Sequence, residues 1–135
     1  MITANRGVRS AGVHRQSLLL IAVVAAVLTA TAASAAPARV FLSVTPTAIH
    51  RGHSVLLRGN AGSCPVGDEV TIISRAFART HEFAGVPAVF ARVKSGGAFR
   101  LSTRIPTGKR PGLYGITARC GGGNLGVLVH LRVLR

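Results

Sequence analysis

The fold is decided near the end of the sequence, by the stretch LYGITARCGGGNLGVLVHLRV at residues 113–133. In its first half every second residue is apolar, namely Tyr114, Ile116, Ala118 and Cys120. A Gly-rich segment at 121–124 interrupts this pattern, and it then resumes as Leu125, Val127, Val129, Leu131 and Val133. A period of two is typical of a half-buried β-strand. The stretch therefore predicts two strands separated by a loop.

Five further β-rich runs precede this stretch, with turn signals between most of them. They lie at residues 40–44, 54–58, 69–74, 88–94 and 99–105. Seven short strands in about 100 residues favour an all-β, antiparallel sandwich. The segment 75–85 carries no clear period, and either a short helix or a long loop fits it.

The N-terminal segment has the order of a secretory signal peptide. Residues 1–16 carry basic residues and no acid, residues 18–28 are an unbroken apolar run, and small residues follow up to Ala36. The motif Ala33-Ser34-Ala35 predicts cleavage between Ala35 and Ala36. The alternative is an uncleaved membrane anchor, but a spanning helix needs roughly 20 apolar residues.

We therefore divide the chain into a signal peptide at 1–35 and a β-sandwich domain at 36–135. The expected location is secreted, either extracellular or at the cell surface, with no permanent membrane span after cleavage.

Both cysteines, Cys64 and Cys120, lie in the part expected to be exported. Two cysteines in an oxidising compartment most simply form one disulfide. The competing interpretation is a metal-binding or redox pair, but the sequence contains no C-x-x-C motif. We expect a structural disulfide that ties a loop to a strand.

The acidic residues are too few for most carboxylate chemistry. The chain has 17 Lys+Arg against 3 Asp+Glu, a formal net charge of +14, and the acids are Asp68, Glu69 and Glu82. No serine lies in a G-x-S-x-G motif. The sequence therefore predicts a protein that is not an enzyme, with no catalytic residue and no cofactor.

A metal site is a second possibility, because imidazoles bind copper and zinc. His50 and His53 are three residues apart, with His81 or His130 as a further ligand. The segment between the first two contains Arg51-Gly52 and does not form a helical pair. We favour solvated loop histidines and predict no metal.

The basic residues are the main functional signal. Residues 36–135 keep 14 of the 17 basic residues and all three acids, a net charge of +11. Alternation places several of them on outward strand faces, and the candidate anion-binding set is Arg92, Lys94, Arg100, Arg104, Arg119 and Arg132. If their strands share a sheet, its outer face is a basic strip. The alternative is a solvated face whose arginines reflect codon bias.

The guanidinium fork suits phosphates and carboxylates. We expect an anionic envelope polymer or acidic lipid head groups as partner. Nucleic acid is not favoured, because an exported protein seldom meets it and because single-strand binders need exposed aromatic rings. The sequence assigns the rings of Phe99 and Tyr114 to the core.

A series of motifs extends across the region 36–135. They are Thr45-Pro46, Gly52, Cys64 with Gly67, Gly96-Gly97-Ala98-Phe99, Ile105-Pro106, Pro111-Gly112-Leu113-Tyr114, Ala118-Arg119-Cys120-Gly121-Gly122 and Leu131-Arg132-Val133. Their order resembles small secreted immunoglobulin-like domain proteins of high-GC Gram-positive bacteria. The resemblance implies an immunoglobulin-like sandwich of about seven strands and a secreted or surface location. The chain departs from antibody domains in having no Trp.

Taken together, the sequence predicts a secreted, non-catalytic immunoglobulin-like binding module that engages an anionic cell-envelope or extracellular partner through its basic strand face. Two alternatives remain. One is a small-molecule carrier with an apolar cleft lined by Phe77, Phe83 and Phe90, and the other is a purely structural surface module.

Overall fold

A computed structural model describes residue 36 and residues 38–135 of the chain. The predicted signal peptide at 1–35, including the cleavage residue Ala35, lies outside the described residues, whereas Ala36 is described and exposed. Among the described residues, no helix has the length and apolar character needed to cross a membrane.

The described chain is all-β, which confirms the predicted class. Its strands are β1 (Phe41–Thr45), β2 (Ala48–His50), β3 (Ser54–Asn60), β4 (Glu69–Ile73), β5 (Glu82–Phe83), β6 (Val86–Arg92), β7 (Ala98–Arg104), β8 (Gly112–Cys120) and β9 (Gly123–Leu134). A single turn of 3-10 helix, Ser95–Gly97, precedes β7.

The strands form two sheets of unequal size. The smaller has the order β1-β3-β7 and the larger the order β2-β9-β8-β4-β6-β5. Their inner faces pack together as an open sandwich.

Two details of the predicted architecture are wrong. There are nine strands among the described residues instead of seven, and β2 runs parallel to β9, so the sandwich is not purely antiparallel. The undecided segment 75–85 is a loop that contains β5 and no helix.

The core lies between the two sheets and follows from the alternation of side chains along each strand. Leu57 and Phe99 enter it from the smaller sheet, and Ile72 and Ile116 from the larger one, each no more than 2% exposed. Burying a side chain of this size stabilises the fold by about 1.5–3 kcal/mol. The pattern that buries these residues also points every second residue of β3 and β7 outward, and so sets the composition of the outer face.

Gly59 shows how closely the smaller sheet packs against its own core. This residue is directly opposite Phe99 in the β3–β7 register. A Cβ added at Gly59 would lie 2.5 Å from the Phe99 ring and 2.2 Å from the carbonyl oxygen of Phe41. Only glycine therefore fits here, and the ring of Phe99 covers the space that a side chain would fill.

The predicted disulfide between Cys64 and Cys120 is present. Their Cα atoms are 6.1 Å apart, and 56 residues separate them in sequence. Cys64 lies in the loop between β3 and β4, and Cys120 ends β8. As expected, the bridge ties a loop to a strand end. It fixes the β3–β4 loop, and thereby one end of the smaller sheet, against the larger sheet.

Candidate functional site

The six predicted anion-binding residues do not share one face, so that part of the prediction is wrong. Arg100 and Arg104 lie on β7, in the smaller sheet. Arg92, Arg119 and Arg132 lie on β6, β8 and β9 of the larger sheet, and Lys94 follows β6 in the turn before β7. The outer faces of the two sheets point away from each other. Alternation specifies inward or outward orientation, but it carries no information about which sheet a strand joins.

The outer face of the smaller sheet concentrates positive charge. Arg58 on β3 is directly opposite Arg100 on β7, and both are exposed. Like charges directly opposite one another across a sheet are destabilising. None of the strands β1, β3 and β7 contains an acidic residue that would offset this repulsion. We call this surface, built around Arg58, Arg100, Arg104 and Phe41, the basic face.

Arg104 extends the basic face along β7. It stands four residues from Arg100, roughly 13 Å along the strand, and its Nε donates a hydrogen bond of 2.6 Å to the carbonyl oxygen of Gly52. This bond orients the Arg104 guanidinium, while the neighbouring strand contributes the uncharged Ser54 opposite it. The face thus presents three guanidinium groups on one sheet surface.

An exposed aromatic ring borders the arginine pair. Phe41 on the edge strand β1 is 48% exposed, and it is opposite Asn60, two residues along β3 from Arg58. Because outward residues alternate, Phe41 and Arg58 occupy neighbouring rows of the same face. The expectation that exposed aromatic rings are lacking is therefore wrong. Phe99 is buried as predicted and Tyr114 is partly buried, whereas Phe41 is the exposed ring.

Two cations of the larger sheet, Arg92 and Arg119, already have local partners. Arg92 is opposite Glu69 and donates a hydrogen bond of 2.9 Å to the carbonyl oxygen of Gly67. Arg119 lies over the ring of Phe83, 5.0 Å from its centroid, and donates to the carbonyl oxygen of Gly122. Such contacts orient these side chains along the protein surface.

Arg132 is exposed on the same outer face, in register with Leu113 of β8. Leu113 and Leu128 are each 59% exposed. This face is therefore a mixture of apolar residues, cations and one acid, in contrast to the basic face.

The three phenylalanines of the predicted carrier do not line a common cleft. Phe77 is fully buried, Phe83 lies under Arg119, and Phe90 is 37% exposed with its ring 5.5 Å from that of His81. The apolar-cleft alternative is wrong, because Phe77 and Phe83 lie in the segment 75–85, Phe90 lies on β6, and the fold places their rings in different surroundings.

The histidines do not form a metal cluster among the described residues. The rings of His50 and His53 have centroids 6.4 Å apart, and His50 Nδ1 contacts the carbonyl oxygen of Arg135. The group of potential ligands that the described chain brings together contains Cys64, Cys120 and Asp68. Both of these cysteines are committed to the disulfide, so neither offers a thiolate.

No family model matches the chain, and no curated protein matches it. Among solved structures, the chain is similar to the Pseudomonas fluorescens alkylpurine DNA glycosylase AlkC bound to DNA containing an abasic site analog. The similarity has a TM-score of 0.46 and 19% sequence identity, and it covers 73% of this chain. This chain spans 31% of the length of the glycosylase chain.

This finding contradicts two predictions. The sequence predicted a module with an anionic envelope partner, and it disfavoured nucleic acid, whereas the similar structure is a DNA glycosylase bound to DNA. Both predictions are withdrawn. DNA is the ligand of that glycosylase.

Proposed function

We propose that this chain binds nucleic acid through the basic face of its smaller sheet. The observation that carries the proposal is the register of β3 and β7, which holds Arg58 and Arg100 directly opposite each other on the outer face. The two like charges repel in the free protein. A polyanion laid across the sheet removes this repulsion and accepts hydrogen bonds from both guanidinium forks.

The second step concerns the kind of polyanion. Binders of single-stranded nucleic acid combine a cationic surface that follows the backbone with aromatic rings on which bases stack. The basic face offers both, because Phe41 is exposed beside the row that contains Arg58 and Arg100. We assign the arginines to backbone phosphates and Phe41 to a base. Because phosphate contacts and stacking do not distinguish one base from another, we propose that binding is tolerant of sequence.

Three further statements belong to the proposal. We propose that residues 1–35 are a cleaved signal peptide and that the mature domain is immunoglobulin-like, of the secreted type that its motifs resemble. The disulfide supports export, since such bonds persist in oxidising compartments.

We also propose that the domain acts without catalysis. Its three acids do not face one another as a pair, since Glu82 bonds to Arg79 while Asp68 and Glu69 are adjacent at the start of β4.

The test is fluorescence anisotropy with a labelled oligothymidine over a series of salt concentrations. Three phosphate contacts predict that log K falls with log salt at a slope of about −2 for single strands. Replacing Arg58 and Arg100 together by Gln removes two contacts, and the slope should shrink by about 1.4. The matched control is the double replacement of Arg92 and Arg132 by Gln, which removes the same charge from the larger sheet and should leave the slope unchanged.

Phe41→Ala separates base stacking from charge. Stacking contributes about 1–3 kcal/mol per base, so the variant should bind the single strand at least about fivefold more weakly and bind a duplex with unchanged affinity. Inorganic polyphosphate, which lacks bases, should compete poorly at equal charge. Equal slopes for the two double variants, or equal competition by polyphosphate, would overturn the proposal.

A further inference from the structure

A second concentration of positive charge lies at one end of the sandwich, in loops and not on the strands of the basic face. The loop after β4 and the loop between β7 and β8 enclose an open pocket of about 420 Å³. Its lining includes four basic residues, Arg75, Arg79, Lys109 and Arg110, together with the half-buried Tyr114. The volume is within the range of about 300–1,000 Å³ that is usual for small-molecule sites.

Lys109 is held in place inside this pocket. Its Nζ donates hydrogen bonds to the carbonyl oxygens of Arg75, at 2.7 Å, and Phe77, at 3.3 Å. An ammonium group has three donors, so one N–H remains for a ligand. Burial, and secondarily the charge of Arg79, hold the pKa of Lys109 below its ordinary value of 10.5. Both causes disfavour the charged ammonium in the free protein.

The other side of the pocket is similarly fixed. The Tyr114 hydroxyl donates a hydrogen bond of 2.6 Å to the carbonyl oxygen of Arg110, which anchors the β7–β8 loop. Among the described acids only Glu82 approaches this cluster, through a contact of 2.5 Å with Arg79. The pocket therefore has four cationic side chains and one nearby carboxylate, which is already paired with Arg79.

We propose that this pocket binds a dianionic phosphate group. An excess of cations at one opening favours a group that carries more than one negative charge, and guanidinium forks match the geometry of phosphate oxygens. The half-buried Tyr114, which lines the pocket, suits an organic portion attached to that phosphate. The group has two potential sources, a free phosphorylated small molecule and the 5′ end of a nucleic acid strand. The inference rests on the pocket alone and holds whether or not the basic face binds nucleic acid.

The experiment exploits the fact that the chain has two lysines, Lys94 and Lys109. Trace acetylation of the unmodified protein, followed by peptide mass spectrometry, measures the rate at each lysine. Inorganic phosphate, compared with sodium chloride at equal ionic strength, should slow acetylation of Lys109 saturably and by at least threefold. Lys94 lies outside the pocket and serves as the internal control, so its rate should not change.

Variants localise the effect. Arg75→Gln combined with Arg110→Gln removes two charge-assisted hydrogen bonds, and the phosphate concentration for half-protection should rise at least about tenfold. Arg92→Gln, on the larger sheet, should have no effect. Because the chain has one Tyr and no Trp, phosphate should also change the intrinsic fluorescence of Tyr114 over the same concentration range, which provides a readout independent of labelling.

Two further arms identify the source of the phosphate. Protection at lower concentration by a 5′-phosphorylated oligonucleotide than by its 5′-hydroxyl counterpart assigns the pocket to a strand end. Equal or better protection by a mononucleotide assigns it to a free phosphorylated ligand. Equal slowing of Lys94 and Lys109, no saturable protection, or protection unchanged in the Arg75/Arg110 double variant would overturn the inference. None of these results depends on the basic face.

Discussion

The repulsion between Arg58 and Arg100 leads to a quantitative prediction about stability. The two guanidinium groups extend from directly opposite positions on an exposed face. At a separation of roughly 7 Å in water, their Coulomb energy is about 0.6 kcal/mol. This value lies within the range of about 0.2–1 kcal/mol for directly opposed cross-strand pairs. Replacing either arginine by Gln keeps most of the side-chain stem and removes the repulsion.

The assay is a double-mutant cycle in urea, followed by far-ultraviolet circular dichroism at low salt. Arg58→Gln and Arg100→Gln should each raise the free energy of unfolding by about 0.6 kcal/mol, and the double variant should gain no more than either single one. The coupling should fade at 1 M salt, where the Debye length is about 3 Å. A coupling of zero at low salt, or one of the same size at high salt, would refute the electrostatic interpretation of this pair.

Three other predictions concern the framework and the pocket. Replacing Cys64 and Cys120 together by Ser removes a bridge across 56 residues. The chain-entropy model predicts that the free energy of unfolding, measured in urea, falls by about 4 kcal/mol, and a fall of under about 1 kcal/mol would contradict this prediction. Gly59→Ala places a Cβ against the carbonyl oxygen of Phe41 and the ring of Phe99. Calorimetry should therefore show that the variant is destabilised by about 1–3 kcal/mol. Since the pKa of Lys109 is lowered by burial and then by Arg79, the folded protein releases this proton before the unfolded chain does. The free energy of unfolding should therefore rise as the pH increases from the folded pKa towards 10.5, and urea titrations of Lys109→Gln should lack that rise.

The sequence predicted the long strands well because their alternation extends over many residues. β7, β8 and β9 each bury every second side chain over much of their length, and the sheet geometry follows directly from that period. β2 and β5 have three and two residues, too few for a period to be recognised. The parallel pairing of β2 with β9 depends on where the chain crosses between sheets, which side-chain alternation does not encode.

The candidate site was only partly predictable for the same reason. Arg100 and Arg104 were assigned to an outward face, and they lie there. Arg58 lies in a run that was recognised as a strand, but its position opposite Arg100 follows from strand pairing and not from local sequence. Phe41 is the first residue of β1, and a single residue at a strand end gives no alternation from which its outward orientation could be predicted.

The basic pocket escaped sequence analysis because its cations come from two loops. Arg75 and Arg79 belong to the stretch that the sequence left undecided between a helix and a loop, and Lys109 and Arg110 belong to a turn 30 residues later. The available signal was a pair of basic turn segments with few acids nearby. Their convergence at one end of the sandwich required the fold.

Nucleic-acid binding by the basic face is tested best by the salt dependence of oligothymidine binding in two double variants of equal charge. Arg58→Gln with Arg100→Gln should lower the slope of log K against log salt by about 1.4, while Arg92→Gln with Arg132→Gln should leave it unchanged. Equal slopes in the two variants, or no measurable binding by the unaltered protein at low salt, would contradict it.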